Sequence, residues 1–439
     1  MKATIVLGLG FGDEGKGAVV DGLVRRTGAE LVVRFNGGAQ AAHHVVTPEG
    51  KTHRFSTWGS GTLAGALTYL GPKVMFDPVA AQREAARLAT VGITDPWRRL
   101  YVDAACPVIT PWHVAINRIR QRAAGLGSCG MGIGALAEDI MAGLPVLTAG
   151  DLIDGSASAA VRTAKAIRDR LTSLPLEAVK PLEKTMLKTT AADWVEGVLH
   201  TTDVGITDDP MALVKRSETV IFEGAQGVLL DEQHGFHPHT TWSTTTDRHA
   251  RAIIEDWNAW RDGRSGDDVW APITVTTIGV LRAFATRHGS GPFPTEIASH
   301  ECPRSLLIGE HNEPGPFQGR FRVGHFDAVL ARYALGVQPV DGIALTCLDR
   351  VDDLPDWKIG IAYDAAGVRI PNLPVQVNPS LDEQQALGEA INLSGVHYES
   401  CKGKFATESI ENYLGAPVVI ETRGATADEQ SVYAGRPVV

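Results

Sequence analysis

The sequence predicts an α/β protein with a large, mostly parallel central sheet flanked by helices. Three observations carry that expectation. Short β-branched runs recur along the chain, segments with legible helix ends lie between them, and the first run empties into a glycine-rich turn. Parallel strands covered on both faces read as continuous apolar runs, because neither face is left to alternate with polar residues.

In order, the strand-like runs are Thr4 to Leu7, Leu31 to Val33, Thr219 to Phe222, Ile273 to Thr277, Ile343 to Thr346 and Val418 to Glu421. Asp77-Pro78 reads as an N-cap followed by proline at the first helical position, with Gly92 closing that helix. Thr110-Pro111 repeats the signature and predicts a helix through Arg122 to a stop at Gly125. Ser380 and Glu383 have capping-box spacing. From about Asp151 to Thr219 the chain is alanine-rich and strand-poor, which predicts a helical excursion from the sheet. Asp262 to Asp268 reads as a polar loop. Without an internal repeat or a Pro/Ser-rich linker, the expectation is a single domain over residues 1–439.

Composition narrows the function. With 44% hydrophobic and 21% charged residues in 439, the chain is neither disordered nor fibrous. Its 41 basic against 51 acidic residues leave a net charge of −10, which excludes a dedicated nucleic-acid binder or a basic membrane-surface protein. An anionic small ligand would need cations gathered at one site. The 5 cysteines are odd in number and form no C-x-x-C, as expected of reduced thiols in a cytoplasmic protein. The apolar start meets Asp13-Glu14 too soon for a signal peptide, and no apolar run approaches the ~20 residues of a membrane helix.

The chemistry begins where the first run ends. Gly10 to Lys16 fits G-x-x-x-x-G-K, a loop whose backbone N–H groups wrap phosphates while its lysine neutralises them. Two features depart from the usual loop: Gly17 stands where Ser or Thr would meet magnesium, and an acid pair lies inside it. A carboxylate among phosphates is costly unless it ligates the metal or accepts a substrate proton.

Gly12-Asp13-Glu14-Gly15-Lys16-Gly17, followed by Val33-Arg34-Phe35-Asn36-Gly37-Gly38-Ala39-Gln40-Ala41-Ala42-His43, resembles the adenylosuccinate synthetase family. Further matches keep the same order: Ala105-Cys106-Pro107 with His113, Gly130 to Gly134, Phe222 to Gly227, Leu229 to Asp231, His234-Gly235, Gly291 to Glu296, Gly319 to Arg322 and Leu345 to Asp349. Such collinear matches are far more specific than any single motif.

The resemblance implies a GTP-binding ligase fold and a two-step reaction joining L-aspartate to C6 of IMP. A base removes the N1 proton, O6 attacks the γ-phosphate, and the aspartate amine then displaces phosphate from C6. By this likeness Asp13 is the base and His43 the acid, with Lys16 and Gln226 as further catalytic groups. GTP falls to Gly12, Gly15, Lys16, Gly17, Asp349 and Arg322, and the acceptor to Asn36, Gln40, Cys129, Gln226 and Thr241. Aspartate falls to Thr295, Gln318 and Arg320, with Arg322 also matching an arginine of the family's aspartate-binding loop, and Mg²⁺ to Asp13 and the carbonyl of Ala42. An Asp349 carboxylate can accept from guanine N1–H and its 2-amino group, which adenine does not offer. The family works as a homodimer. His234, His237 and His239 invite a zinc reading, but no cysteine or carboxylate set accompanies them.

Departures from the family pattern cluster around the acceptor. Ser128-Cys129 replaces a threonine pair, an arginine that reaches the partner's IMP phosphate is missing, and Gln40, Ala42 and His44 replace Asn, Gly and Thr. Cys347 stands where a lysine covers the guanine, and the aspartate loop is one residue short, with Phe317 and Gln318 in place of threonines. Two alternatives to the IMP reading follow: the same chemistry on another purine nucleotide or nucleoside, or a GTP-binding regulatory protein without catalysis.

Overall fold

The computed structural model describes residues 1–124, 129–153, 157–171, 174, 180–201, 204–215, 217–262, 272–309, 319–433 and 435–436. Among them a ten-stranded sheet runs in the spatial order Gln430–Val432, Val418–Thr422, Gly342–Thr346, Thr274–Arg282, Lys2–Gly8, Thr219–Gly227, Leu31–Arg34, Leu67–Leu70, Leu100–Asp103 and Gly205–Thr207. All neighbours in it are parallel except the edge strand Gln430–Val432. The expected mostly parallel sheet is therefore present, and each of the six predicted runs lies in it.

The first strand shows why the pattern is legible. Ala3, Ile5 and Leu7 pack into the core on one face, while Val6 packs on the other against Val19, Val20 and Leu23 of the helix Lys16–Thr27. Each such side chain removed from water contributes about 1.5–3 kcal/mol, so a strand buried on both faces is apolar throughout.

The helix ends also follow local chemistry. Asp77 accepts from the Val79 and Ala80 amides at 3.0 and 2.9 Å and starts the helix Pro78–Thr90, with Gly92 beyond it at φ 99°. Ser380 and Glu383 make the reciprocal bonds of a capping box before the helix Leu381–Asn392. The helix Pro111–Ala124 begins as predicted; its expected stop at Gly125 lies outside the described residues, as does the polar loop beyond Asp262.

Some elements escaped the sequence. Leu67–Leu70 and Leu100–Asp103 are four-residue strands whose signal is too short to separate from a helix. The stretch read as helical does carry Ala157–Leu171, Pro181–Lys188 and Ala191–Thr201, but also the strand Gly205–Thr207 at the sheet edge. A second sheet joins Phe326–Asp327, Trp357–Ala365, Val368–Ile370 and Gly395–Cys401. Gly395–Cys401 is mostly exposed, so apolar patterning could not announce it.

The strand order locates the site. The first strand lies between Thr219–Gly227 and Thr274–Arg282, with the chain leaving to either side of it. In open α/β sheets such a switch point opens a crevice outside the carboxyl ends of the strands.

Candidate active site

The carboxyl ends of five parallel strands and the segments that follow them carry most of the predicted residues: Gly12 to Gly17, Asn36 to His43, Gln226, the ribbon after Arg282, and Asp349. Among the described residues, three of the five non-glycine residues with positive φ stand here, Asp13 (59°), Gln226 (63°) and Cys347 (59°). Such backbone is retained where the surroundings over-determine it, typically at functional sites.

The two acids of the first loop have opposite fates. Glu14 is 3% exposed and turns inward. Its Oε1 accepts from the Gly10 and Gly12 amides at 3.0 and 2.8 Å, and its Oε2 meets Lys16 Nζ at 2.5 Å. A Cβ on either Gly8 or Gly227 would collide with this carboxylate, so both glycines make room for it. Asp13 turns outward, its side chain 32% exposed, and His288 Nε2 stands 3.3 Å from its Oδ2. Burial alone would raise the Asp13 carboxyl, but the His288 contact, Arg282 and Lys16 outweigh it and hold the pKa below the ordinary range.

The helix Lys16–Thr27 opens from Gly15 in the left-handed region, with no side-chain cap and no acid in its first turn. Its first amides therefore present positive charge without a side-chain acceptor of their own, an arrangement suited to phosphate. Gly17 is explained by space: a Cβ there would lie 2.9 Å from the His44 carbonyl and 3.0 Å from the His43 Cβ. The same contact places His43 against the first turn of the helix.

His43 belongs to a buried network that sequence reasoning missed. Its Nδ1 is 2.5 Å from Glu223 Oε1, while Glu223 also accepts from the Ser60 amide at 2.9 Å and from the Ser60 hydroxyl. Arg34 is buried close by and adds positive charge. Burial would raise the Glu223 carboxyl, yet His43, Arg34 and Ser60 pull it down to about 2. Desolvation lowers the His43 pKa against the pull of Glu223. His43 Nε2 is buried with no hydrogen-bond partner among the described residues. A signal for Glu223 existed, since an acid inside an apolar strand needs a reason to be there.

The other predicted residues divide. Gln226 and Gln40 hold buried side-chain atoms without hydrogen-bond partners among the described residues, as does Thr295 with its Oγ1. Asn36 is fully buried, and its amide is spent on the Ala225 backbone and the Thr244 carbonyl, so it ties two loops together. Cys129 and Thr241 are half-buried, and burial raises the Cys129 thiol. Asp349 is exposed in the turn after Gly342–Thr346, and Ala42 is exposed after the Asn36 loop. Thr346 ties that strand end to the first loop through a 2.6 Å bond to the Glu14 carbonyl.

Arg320 and Arg322 are not free clamps in this structure. Both bind Glu296, at 2.7 Å from Arg320 and at 2.9 and 2.5 Å from Arg322, and Arg322 also donates to the Gly289 and Gly291 carbonyls. Sequence reading quoted Glu296 inside a motif without assigning it this role. Gln318 and Ser128 lie outside the described residues. Of the three histidines, His239 Nδ1 faces the Ser290 hydroxyl at 3.2 Å, and no group of three metal-ligating side chains occurs among the described residues.

Comparison with known proteins bears on the family and the fold. The family model of adenylosuccinate synthetase matches residues 5–419. The chain is 33% identical over 453 residues to adenylosuccinate synthetase of Alteromonas mediterranea, covering 98% of each, and 32% identical over 383 residues to that of Mycobacterium leprae, covering 85% of this chain and 83% of the relative. The fold is similar to that of fully ligated adenylosuccinate synthetase from Plasmodium falciparum, with a TM-score of 0.78 at 22% identity over 99% of this chain and 100% of the other. Succinoaminodeoxyadenylate synthetase of cyanophage S-2L shares the fold at a TM-score of 0.59 and 19% identity, covering 98% and 95%. The chain belongs to the adenylosuccinate synthetase family, the GTP-dependent ligases that join L-aspartate to IMP.

Proposed function

We propose that Asp13 removes the N1 proton of the hypoxanthine ring, so that O6 becomes the nucleophile toward the γ-phosphorus of GTP. The O6–P bond forms as the bond to GDP breaks. Aspartate's amine then adds at C6 and the 6-phosphoryl oxygen leaves as phosphate. His43 stabilises charge on the transferring group, Lys16 and the helix amides offset the phosphate charge, and Asp349 receives the guanine. Gln226, Gln40, Cys129 and Thr241 line the acceptor side, with Asn36 holding the loops. Thr295 and the Arg320 and Arg322 guanidinium groups serve the aspartate side once Glu296 releases them.

The observation that carries the reading is His43: its ring is locked on one side by Glu223, its other nitrogen is buried with no hydrogen-bond partner among the described residues, and its Cβ packs against Gly17 in the uncapped first turn of the helix. A binding protein without catalysis has no need of that arrangement beside an outward Asp13, and the relatives from Alteromonas mediterranea and Mycobacterium leprae carry the ligase name, so neither alternative gains support. Magnesium suits the site chemically, because the partly exposed Asp13 carboxylate and the carbonyl of exposed Ala42 are hard oxygens, and one or two such ligands plus phosphates satisfy it. Bound there, the ion would screen charge on the phosphates. Residues from 13 to 349 contribute to one site, which supports reading the chain as one domain. Free cysteines support a cytoplasmic setting, and exposed Ile140, Met141 and Ile153 support a second copy of the chain as partner.

Isotope tracing tests the mechanism. With ¹⁸O at the 6-position of IMP, the label is expected in the inorganic phosphate released; unlabelled phosphate would overturn it. Asp13→Ala is expected to abolish turnover, since general-base help alone is worth ~10²–10⁴ in rate.

A further inference from the structure

The base stands on a strained turn, and a strained turn does not orient a carboxylate by itself. The Asp13 backbone is anchored, because Arg282 Nε donates to its carbonyl at 2.5 Å. The carboxylate is met by a different group: His288 Nε2, 3.3 Å from Oδ2. His288 ends the strand Ala285–His288, which runs antiparallel to Phe321–Gly324 and pairs His288 directly with Phe321. The imidazole packs on the Phe321 ring at 5.0 Å between centroids, and Arg282 lies over the same ring at 5.9 Å. The His288 side chain is only 17% exposed. Its ring is thus fixed by a strand and an aromatic neighbour, the support an oriented donor needs.

We propose that His288 is a positioning residue for the proposed base, donating Nε2–H to Asp13 Oδ2 so that the other carboxylate oxygen faces the purine. The inference rests on the reading of Asp13 as base. The donor is needed in one tautomer only, and no change in its protonation is involved. The ribbon also gives the contact a second consequence: Phe321 lies between Arg320 and Arg322, so the strand that carries the candidate carboxylate clamp also seats the ring that orients the base. A shift of the clamp strand is felt at Asp13 through Phe321 and His288.

The test separates donation from packing. His288→Phe keeps a ring against Phe321 and removes the donor, and His288→Gln places an amide N–H near the Nε2 position. We expect kcat to fall about 10–100-fold in His288→Phe, as for a lost bond to a charged group, with GTP affinity by calorimetry unchanged. His288→Gln is expected to recover most of that loss, whereas His288→Asn, whose amide reaches only the Nδ1 position, recovers little. Wild-type kcat in His288→Phe, or His288→Gln as slow as His288→Phe, overturns the proposal. Asp13→Asn assayed alongside keeps the two readings apart. Turnover persisting in Asp13→Asn defeats the base assignment itself; Asp13→Asn inactive with His288→Phe unimpaired defeats only the role of His288.

Discussion

Replacing Glu223 with glutamine removes one charge from the centre of the His43 network while keeping its shape. Glu223 is fully buried, 2.5 Å from His43 Nδ1 and bound by the Ser60 amide. Its surroundings lower the carboxyl from 4.5 to about 2, a differential stabilisation of the ionised form of roughly 3 kcal/mol. That agrees with the ~3–5 kcal/mol lost when one partner of a buried ion pair is removed. Glutamine leaves Arg34 without this counter-charge and turns an N–H toward either the ring or the Ser60 amide, both donors. His43 also loses the carboxylate that favours its charged form, the only form able to donate from Nε2 while Nδ1–H is held. We expect Glu223→Gln to lower kcat by ~10²–10⁴, with GTP binding weakened far less. Turnover is followed by the ultraviolet change as the 6-oxygen is replaced by nitrogen, and stability by denaturant midpoint. The pH course gives a second check. Because the folded carboxyl is depressed, its contribution is full above 4.5 and vanishes as pH falls toward about 2. His43, depressed below 6.5, likewise loses its contribution as pH falls from 6.5 through its folded value. Wild-type midpoints should therefore decline from pH 6.5 downward, and the part between 4.5 and 2 should disappear in Glu223→Gln. A kcat within threefold of wild type would refute the reasoning.

Other outcomes follow from the same geometry. Lys16→Met strands the buried Glu14 carboxylate and should cost ~3–5 kcal/mol in denaturant unfolding; adding Glu14→Gln should restore much of that stability but not GTP affinity. Gly227→Ala forces a methyl into the Gly10 carbonyl and the Glu14 carboxylate, so calorimetry should show GTP binding at least tenfold weaker, ~1.4 kcal/mol. Chelating divalent cations should stop turnover reversibly, with Mg²⁺ restoring it and an unchanged melting profile showing that the fold does not depend on the ion. Glu296→Gln frees Arg320 and Arg322 from their internal carboxylate and should lower the KM for aspartate several-fold, ~1 kcal/mol.

Much of the fold was legible because local chemistry and burial coincide. The helix starts at Asp77-Pro78 and Ser380 are decided by caps within four residues, and the two-faced burial of Lys2–Gly8 leaves an apolar run that survives any context. Short or solvent-exposed strands such as Leu67–Leu70 and Gly395–Cys401 carry no such mark, because their stability comes from neighbours distant in sequence. At the site, the residue types that handle phosphate and protons were visible in the first loop and in the block ending at His43. Their division of labour was not. Asp13 and Glu14 are adjacent acids, and only the packing of Gly8 and Gly227 around one of them decides which turns inward. Glu223 reaches His43, Ser60 reaches Glu223 and His288 reaches Asp13 from strands and loops more than a hundred positions away. Sequence alone determined which chemistry the chain can perform, because that depends on side-chain types at close spacing. Tertiary structure decided which groups are held, buried and aimed, because burial and long-range contact have no local signature.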